Sequence, residues 1–241
     1  MSLAIDYGSA GRVGLLIPSV NRAAEPQLRV MLPKSIGLAV TRLRLRDASE
    51  HSLLTMANNV ETGAELLADA GVDLIVFHCT AVSTYSRELE ASILRRISSA
   101  SGVKAIATSQ ALVDSLRVLD ARRLIMLSPY PQEVNARERI YFESHGFEVL
   151  GIGGCCCPTA EDMMSVTPVE WISMAGAKAD DRADAYLLSC TTTRAAEAAE
   201  AIEEALGKPV VTSNTAVAWA CMQALRMRKR IDGFGALMRQ F

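Results

Sequence analysis

The run Leu74-Ile75-Val76-Phe77-His78-Cys79-Thr80 returns in kind as Ala185-Tyr186-Leu187-Leu188-Ser189-Cys190-Thr191. The offset of 111 positions (74 to 185) also relates Val13-Gly14-Leu15-Leu16-Ile17-Pro18 to Leu124-Ile125-Met126-Leu127-Ser128-Pro129. A third echo, Ala107-Thr108-Ser109 with Val211-Thr212-Ser213, follows in the same order. Landmarks repeated in one order imply an internal duplication. Each repeated unit opens on a short unbroken apolar run, as a strand buried on both faces requires.

Such runs alternate with helical patterns along the chain. Strands are expected at residues 13–17, 42–46, 74–77 and 105–107, then again at 124–127, 147–152, 185–188 and 209–211. Helices are expected at 53–70, 84–99 and 109–119, then at 132–145, 168–175, 194–206 and 215–227. Alternation of this kind predicts an α/β fold of parallel sheets covered by helices. The duplication splits it into two pseudo-symmetric, Rossmann-like or flavodoxin-like halves. Residues 1–109 with 214–241 form one half, completed by the C-terminal helix; residues 110–213 form the other. The active site is expected in the cleft between them.

A chain of 241 residues that is 50% hydrophobic can bury a sizeable core. A formal net charge of −2 removes the electrostatic case for nucleic acid or an anionic membrane as partner. The arginines of Arg42-Leu43-Arg44-Leu45-Arg46 alternate with apolar residues and read as the solvent face of an edge strand. No run is long enough for a membrane helix. Residues 1–11 carry Asp6 and no apolar signal core, so the expected location is the cytoplasm. Six cysteines in a cytoplasmic chain are poor evidence for disulfides. No CxxC, HExxH or paired Cys/His spacing supports a metal. No GxGxxG or GxxxxGK[ST] follows a strand, and Gly151-Ile152-Gly153-Gly154 is incomplete as a nucleotide fingerprint.

The chemistry points to the repeated position. Cys79 and Cys190 each follow a buried strand, so both belong at the carboxyl end of a sheet, where open α/β folds bind ligands. Thr80, Ser83 and Thr84 follow the first cysteine, and Thr191, Thr192 and Thr193 follow the second. Such residues start helices, offer donors to a carboxylate, and lower a thiol pKa. Two thiols flanking one ligand suit two reactions. A racemase removes a proton on one face and returns one on the other. A cis–trans isomerase adds one thiol to an activated double bond, lets the single bond turn, and eliminates. A non-catalytic small-acid-binding protein on the same scaffold is the non-enzyme alternative. Cys221, beside Trp219 and Met222, reads as core. The run Cys155-Cys156-Cys157 receives no role, and His78 either packs or, if protonated, acidifies Cys79.

At these residues the chain resembles the aspartate/glutamate racemase superfamily, most of all the branch holding maleate cis–trans isomerase and arylmalonate decarboxylase. Ile17-Pro18-Ser19-Val20-Asn21 with Glu25 is similar to the P-S-S-N-x-x-x-E stretch of maleate isomerases. Ser128-Pro129-Tyr130 is similar to their A-P-Y turn, and the two cysteine loops and Val211-Thr212-Ser213 complete the pattern, which covers residues 11 to about 227. The resemblance implies a cofactor-independent isomerase of a small (di)carboxylate. Cys79 would be the nucleophile and Cys190 its acid/base partner. Asn21 and Tyr130 would bind a carboxylate, with Ser19 and the groups around Thr80, Val82, Thr191 and Thr192. The resemblance also implies a homo-oligomer, dimer or tetramer. Two departures stand out. Ala160 occupies the place of a substrate-contacting asparagine of maleate isomerases, and His78 precedes the first cysteine. The decarboxylases lack the first cysteine, so decarboxylation is the lesser expectation.

Overall fold

In a computed structural model, which describes residues 5–45, 47 and 49–240, the two series are two four-stranded parallel sheets. The first series runs β1 (Arg12–Pro18), α1 (Ala24–Met31), β2 (Gly37–Leu43), α2 (Glu50–Ala57), α3 (Val60–Asp69), β3 (Leu74–Phe77), α4 (Thr80–Ser83), α5 (Arg87–Ser101), β4 (Ala105–Ala107) and α6 (Thr108–Val118). The second runs β5 (Arg123–Ser128), α7 (Gln132–Ser144), β6 (Glu148–Gly154), α8 (Ala160–Ser165), α9 (Pro168–Ala177), β7 (Ala185–Leu188), α10 (Ala199–Leu206), β8 (Val210–Thr212) and α11 (Ser213–Ala224). The strand orders, β2-β1-β3-β4 and β6-β5-β7-β8, are the same order read in the two halves.

The repeat extends to individual hydrogen bonds. Asp73 accepts from the Arg12 N–H at 2.8 Å, and Asp184 accepts from the Arg123 N–H at 2.8 Å. The N–H groups of His78 and Ser189 donate to Leu16 and Leu127 at 2.8 Å each. Both pairs keep the offset seen in the sequence, so each cysteine leaves its sheet from an equivalent point.

Strand residues alternate between two cores, as the period of two dictates. Leu16, Ile75, Phe77, Ile125, Leu127 and Leu188 face one; Val13, Leu15, Val76, Leu124, Met126 and Leu187 face the other. The second core also takes side chains of α1, α6, α7 and α11, so it joins the halves.

Several boundaries differ from the sequence reading. The helix expected at 53–70 is two helices, α2 and α3, parted at Asn58 and Asn59, residues that favour local backbone contacts over a continuous helix. The edge strand begins earlier and ends at Leu43, because β1, its partner, ends at Pro18; Arg46, its expected end, lies outside the described residues. The helix expected at 84–99 begins at Arg87, capped by Ser86, whose Oγ accepts from the Leu89 N–H at 3.1 Å. β6 runs to Gly154, past the expected end at residue 152, and so takes in all of Gly151-Ile152-Gly153-Gly154. Among the described residues no helix is long and apolar enough to cross a membrane.

Candidate active site

Cys79 leaves β3 in an extended conformation and stands at the start of α4, whose single turn aims the Val82 N–H at the thiol. Cys190 leaves β7 differently. Its φ is +99°, in the left-handed region that a residue with a Cβ seldom adopts. That twist turns the Thr192 N–H onto its own sulfur at 3.3 Å. No α-helix starts here, contrary to the sequence reading: Thr191–Arg194 is a turn that leads into the 3₁₀ segment Ala195–Ala198 and then α10. The two half-sites are therefore equivalent in position and unlike in backbone.

Ser213 and Asn214, at the start of α11, tie the two loops together. Ser213 Oγ accepts from Thr80 Oγ1 at 2.8 Å and from the Cys190 N–H at 3.1 Å. Asn214 Oδ1 meets His78 Nε2 at 3.0 Å, and its Nδ2 donates to the Thr191 carbonyl at 3.2 Å. The other ring nitrogen of His78 meets Thr108 Oγ1 at 2.9 Å. Burial holds the His78 pKa down, at about 4. The ring is neutral near pH 7 and joins strand to helix; it does not acidify Cys79.

The structure brings Cys79, Cys190, Tyr130, Thr191 and Thr192 to one small cavity of about 50 Å³. Tyr130 is fixed by its turn: its N–H donates to Ser128 Oγ at 3.1 Å, and Asn135 Nδ2 donates to its carbonyl at 3.0 Å. Asn21 lies behind this wall. Its Oδ1 accepts from the N–H groups of Ala23 and Ala24 at 3.0 and 2.9 Å, and its Nδ2 donates to Thr191 Oγ1 at 2.9 Å. Asn21 is absent from the lining, as are Thr80, whose hydroxyl is engaged with Ser213, and Val82. Ser19 is exposed and latches the loop after β1 to Leu45, donating to its carbonyl and accepting from its N–H at 3.1 Å each.

The expected lowering of the thiol pKa is overturned by burial. Both cysteines are only 4% exposed. Burial pushes Cys79 up to about 12 despite the Val82 N–H. It pushes Cys190 up to about 11 despite the Tyr130 hydroxyl and the Thr192 N–H. One turn of helix at Cys79 and none at Cys190 supply too little positive potential to offset desolvation. Both thiols are neutral in the resting site. Cys155 and Cys156 are exposed, on the loop after β6. Cys157 is buried, and its N–H donates to the Pro129 carbonyl at 2.7 Å. Among the described residues no group of three or more Cys, His, Asp or Glu side chains is placed to hold a metal ion.

Glu138, on α7, is the residue the sequence concealed. It is fully buried, and its Oε1 accepts from Ser189 Oγ at 2.8 Å and Thr84 Oγ1 at 3.4 Å, one from each cysteine loop. Its Oε2 has no partner among the described residues. Burial raises its pKa from 4.5 to about 7. A carboxyl that holds its proton more tightly when folded stabilises the fold below the unfolded pKa and loses that contribution as pH rises toward the folded one. Glu138→Gln cannot ionise. Relative to the parent it should gain roughly 2–3 kcal/mol of unfolding free energy between pH 5 and pH 8, read by urea denaturation. A difference independent of pH would contradict this.

Comparison with known proteins agrees with the architecture. The family model described as arylmalonate decarboxylase matches residues 13–238. A maleate isomerase of Pseudomonas putida is 26% identical over 244 residues, 94% of this chain and 96% of that protein. A crystal structure of a cysteine variant of the maleate isomerase of Pseudomonas putida S16 with maleate superposes with a TM-score of 0.91 at 21% identity, covering 95% of this chain and 98% of that one. A Nocardia farcinica maleate cis–trans isomerase variant with a covalently bound succinylcysteine intermediate superposes with a TM-score of 0.88 at 23% identity, covering 96% and 99%.

Proposed function

The chain belongs to the arylmalonate decarboxylase family, and from that premise we propose that it is a cofactor-independent cis–trans isomerase of a small unsaturated carboxylate, with maleate as the reference substrate. The observation that carries this reading is the pair of buried thiols, Cys79 and Cys190, lining one cavity. A succinylcysteine, as bound in the Nocardia relative, is what forms when a thiol adds across the double bond of maleate.

The site suits that addition. The Cys79 sulfur bonds to one alkene carbon, and Cys190 hands its proton to the other. The proton released by Cys79 restores Cys190. One S–H has then added across the double bond with no net change in charge, which fits a pair that rests protonated. The new C–C single bond turns. In the reverse step Cys190 passes its proton to the departing Cys79 sulfur and takes the carbon-bound proton in its place as the C–S bond breaks, so both thiols end protonated as they began. Charge that develops on the carboxylate next to the reacting carbon is met by the hydroxyls of Tyr130, Thr191 and Thr192. Because Asn21 donates to Thr191 Oγ1, the Thr191 hydroxyl keeps its own hydrogen for the substrate. Asn21 and Thr80 thus act by positioning the loops, and the Val82 N–H supports the Cys79 sulfur.

Proton NMR in D₂O with EDTA tests the reading. Maleate should convert to fumarate unaffected by the chelator, while aspartate and glutamate acquire no deuterium at Cα. Deuterated amino acid with unchanged maleate would make the enzyme a racemase and overturn the isomerase.

A further inference from the structure

The two cysteines, Tyr130, Thr191 and Thr192 make up a polar part of the cavity wall; most of the rest is apolar. Val20, Leu45, Leu53, Ala81, Ala160 and Met163 supply it from the loop after β1, the segment after β2, α2, α4 and α8. Met163 reaches the reacting centre itself, its sulfur 3.9 Å from that of Cys190. Asp47 is the charged group among the described lining residues, and it is an anion; no cation is among them. Two basic residues near the loop after β1, Arg22 and Arg42, are engaged elsewhere; Arg46, between Leu45 and Asp47 in the sequence, lies outside the described residues. Arg22 is exposed and paired with Glu161. Arg42 donates to the Asn21 carbonyl at 2.6 Å and meets Glu25 at 3.5 Å.

Against the described wall, a dicarboxylate would set its second charge beside hydrocarbon and Asp47. An anion stripped of water without a partner is strongly disfavoured. A methyl or short alkyl group in the same place gains contact instead. We infer that the preferred substrate is a cis-2-alkenoate carrying one carboxylate and a short apolar substituent. The inference rests on the isomerase reading above and sharpens its substrate; the chemistry at Cys79 and Cys190 is unchanged.

The test compares maleate with cis-2-butenoate by proton NMR, each as kcat/KM with the wild-type protein and with Ala160→Asn, which puts an amide donor on the apolar wall. The wild type should favour cis-2-butenoate by about tenfold or more, and Ala160→Asn should raise kcat/KM for maleate by about tenfold without raising it for cis-2-butenoate. A wild type that favours maleate overturns the inference and leaves the isomerase standing. Isomerisation of neither acid overturns both.

Discussion

Serine at position 79 should lower isomerisation by about a thousandfold or more, and serine at position 190 should do the same. A hydroxyl is isosteric enough to leave the loops in place: it can accept from the Val82 and Thr192 N–H groups as the sulfurs do, and the bond from the Cys190 N–H to Ser213 does not involve the sulfur. What is lost is chemistry. At 79 the soft nucleophile disappears, so no covalent intermediate forms. At 190 a hydroxyl is too weak a base to take a proton back from carbon. Because the two thiols act as one unit, Cys79→Ser with Cys190→Ser should cost little more than either alone. Additive losses would mean that the two residues act in separate steps. The readout is fumarate formed from maleate, with unfolding midpoints near the parent's to show that the fold survives.

Gly154→Ala should be the most damaging single methyl in the chain. Gly154 ends β6 with φ +154° opposite Ser128 of β5. A Cβ there would lie 1.7 Å from the Ser128 carbonyl oxygen, a backbone atom that no rotamer change can move. The strand must shift, and with it the Ser128-Pro129-Tyr130 turn that puts Tyr130 into the cavity. We expect a loss of about 3 kcal/mol or more and a fall in Tm of roughly 10 °C, with activity reduced at temperatures where the variant remains folded. Gly102→Ala is the control. Gly102 also has positive φ, +69°, but nothing lies within 4 Å of its Cβ position. Its cost should stay near 1 kcal/mol. Equal losses at the two sites would show that conformation alone, and not the Ser128 contact, makes Gly154 necessary.

The sequence carried the architecture because two signals coincide. Apolar runs at 74–77 and 185–188 mark strands, and their common offset marks equivalent strands, so Cys79 and Cys190 stand out from the other four cysteines before any coordinates. What it concealed depends on contacts between distant segments. Glu138 sits in a charged stretch, Arg137-Glu138-Arg139, that reads as a solvated helix face. Only the approach of Ser189 and Thr84 makes it a buried bridge. Ser213 appeared as an echo of Ser109, yet its hydroxyl joins both cysteine loops. The left-handed backbone of Cys190 has no local signal, since cysteine, unlike glycine, asparagine or aspartate, does not announce positive φ. The thiol pKa went wrong for a related reason. Hydroxyl residues after each cysteine announce a helix start, but burial, which outweighs it, is set by Met163, Tyr130 and the opposing half. The paired Asn58-Asn59 was a readable break that a periodicity argument passes over.

The covalent step is the centre of the account. Cys190→Ser should still allow slow addition at Cys79, with solvent supplying the proton, and then hold the adduct, because no thiol remains to reclaim the proton from carbon. Intact-mass spectrometry of this variant after incubation with maleate should show one added maleic acid per chain, and peptide mapping should locate it on Cys79. The Cys79→Ser protein should show none. An adduct absent from Cys79 in the first variant, together with retained turnover in the second, would contradict the two-thiol mechanism.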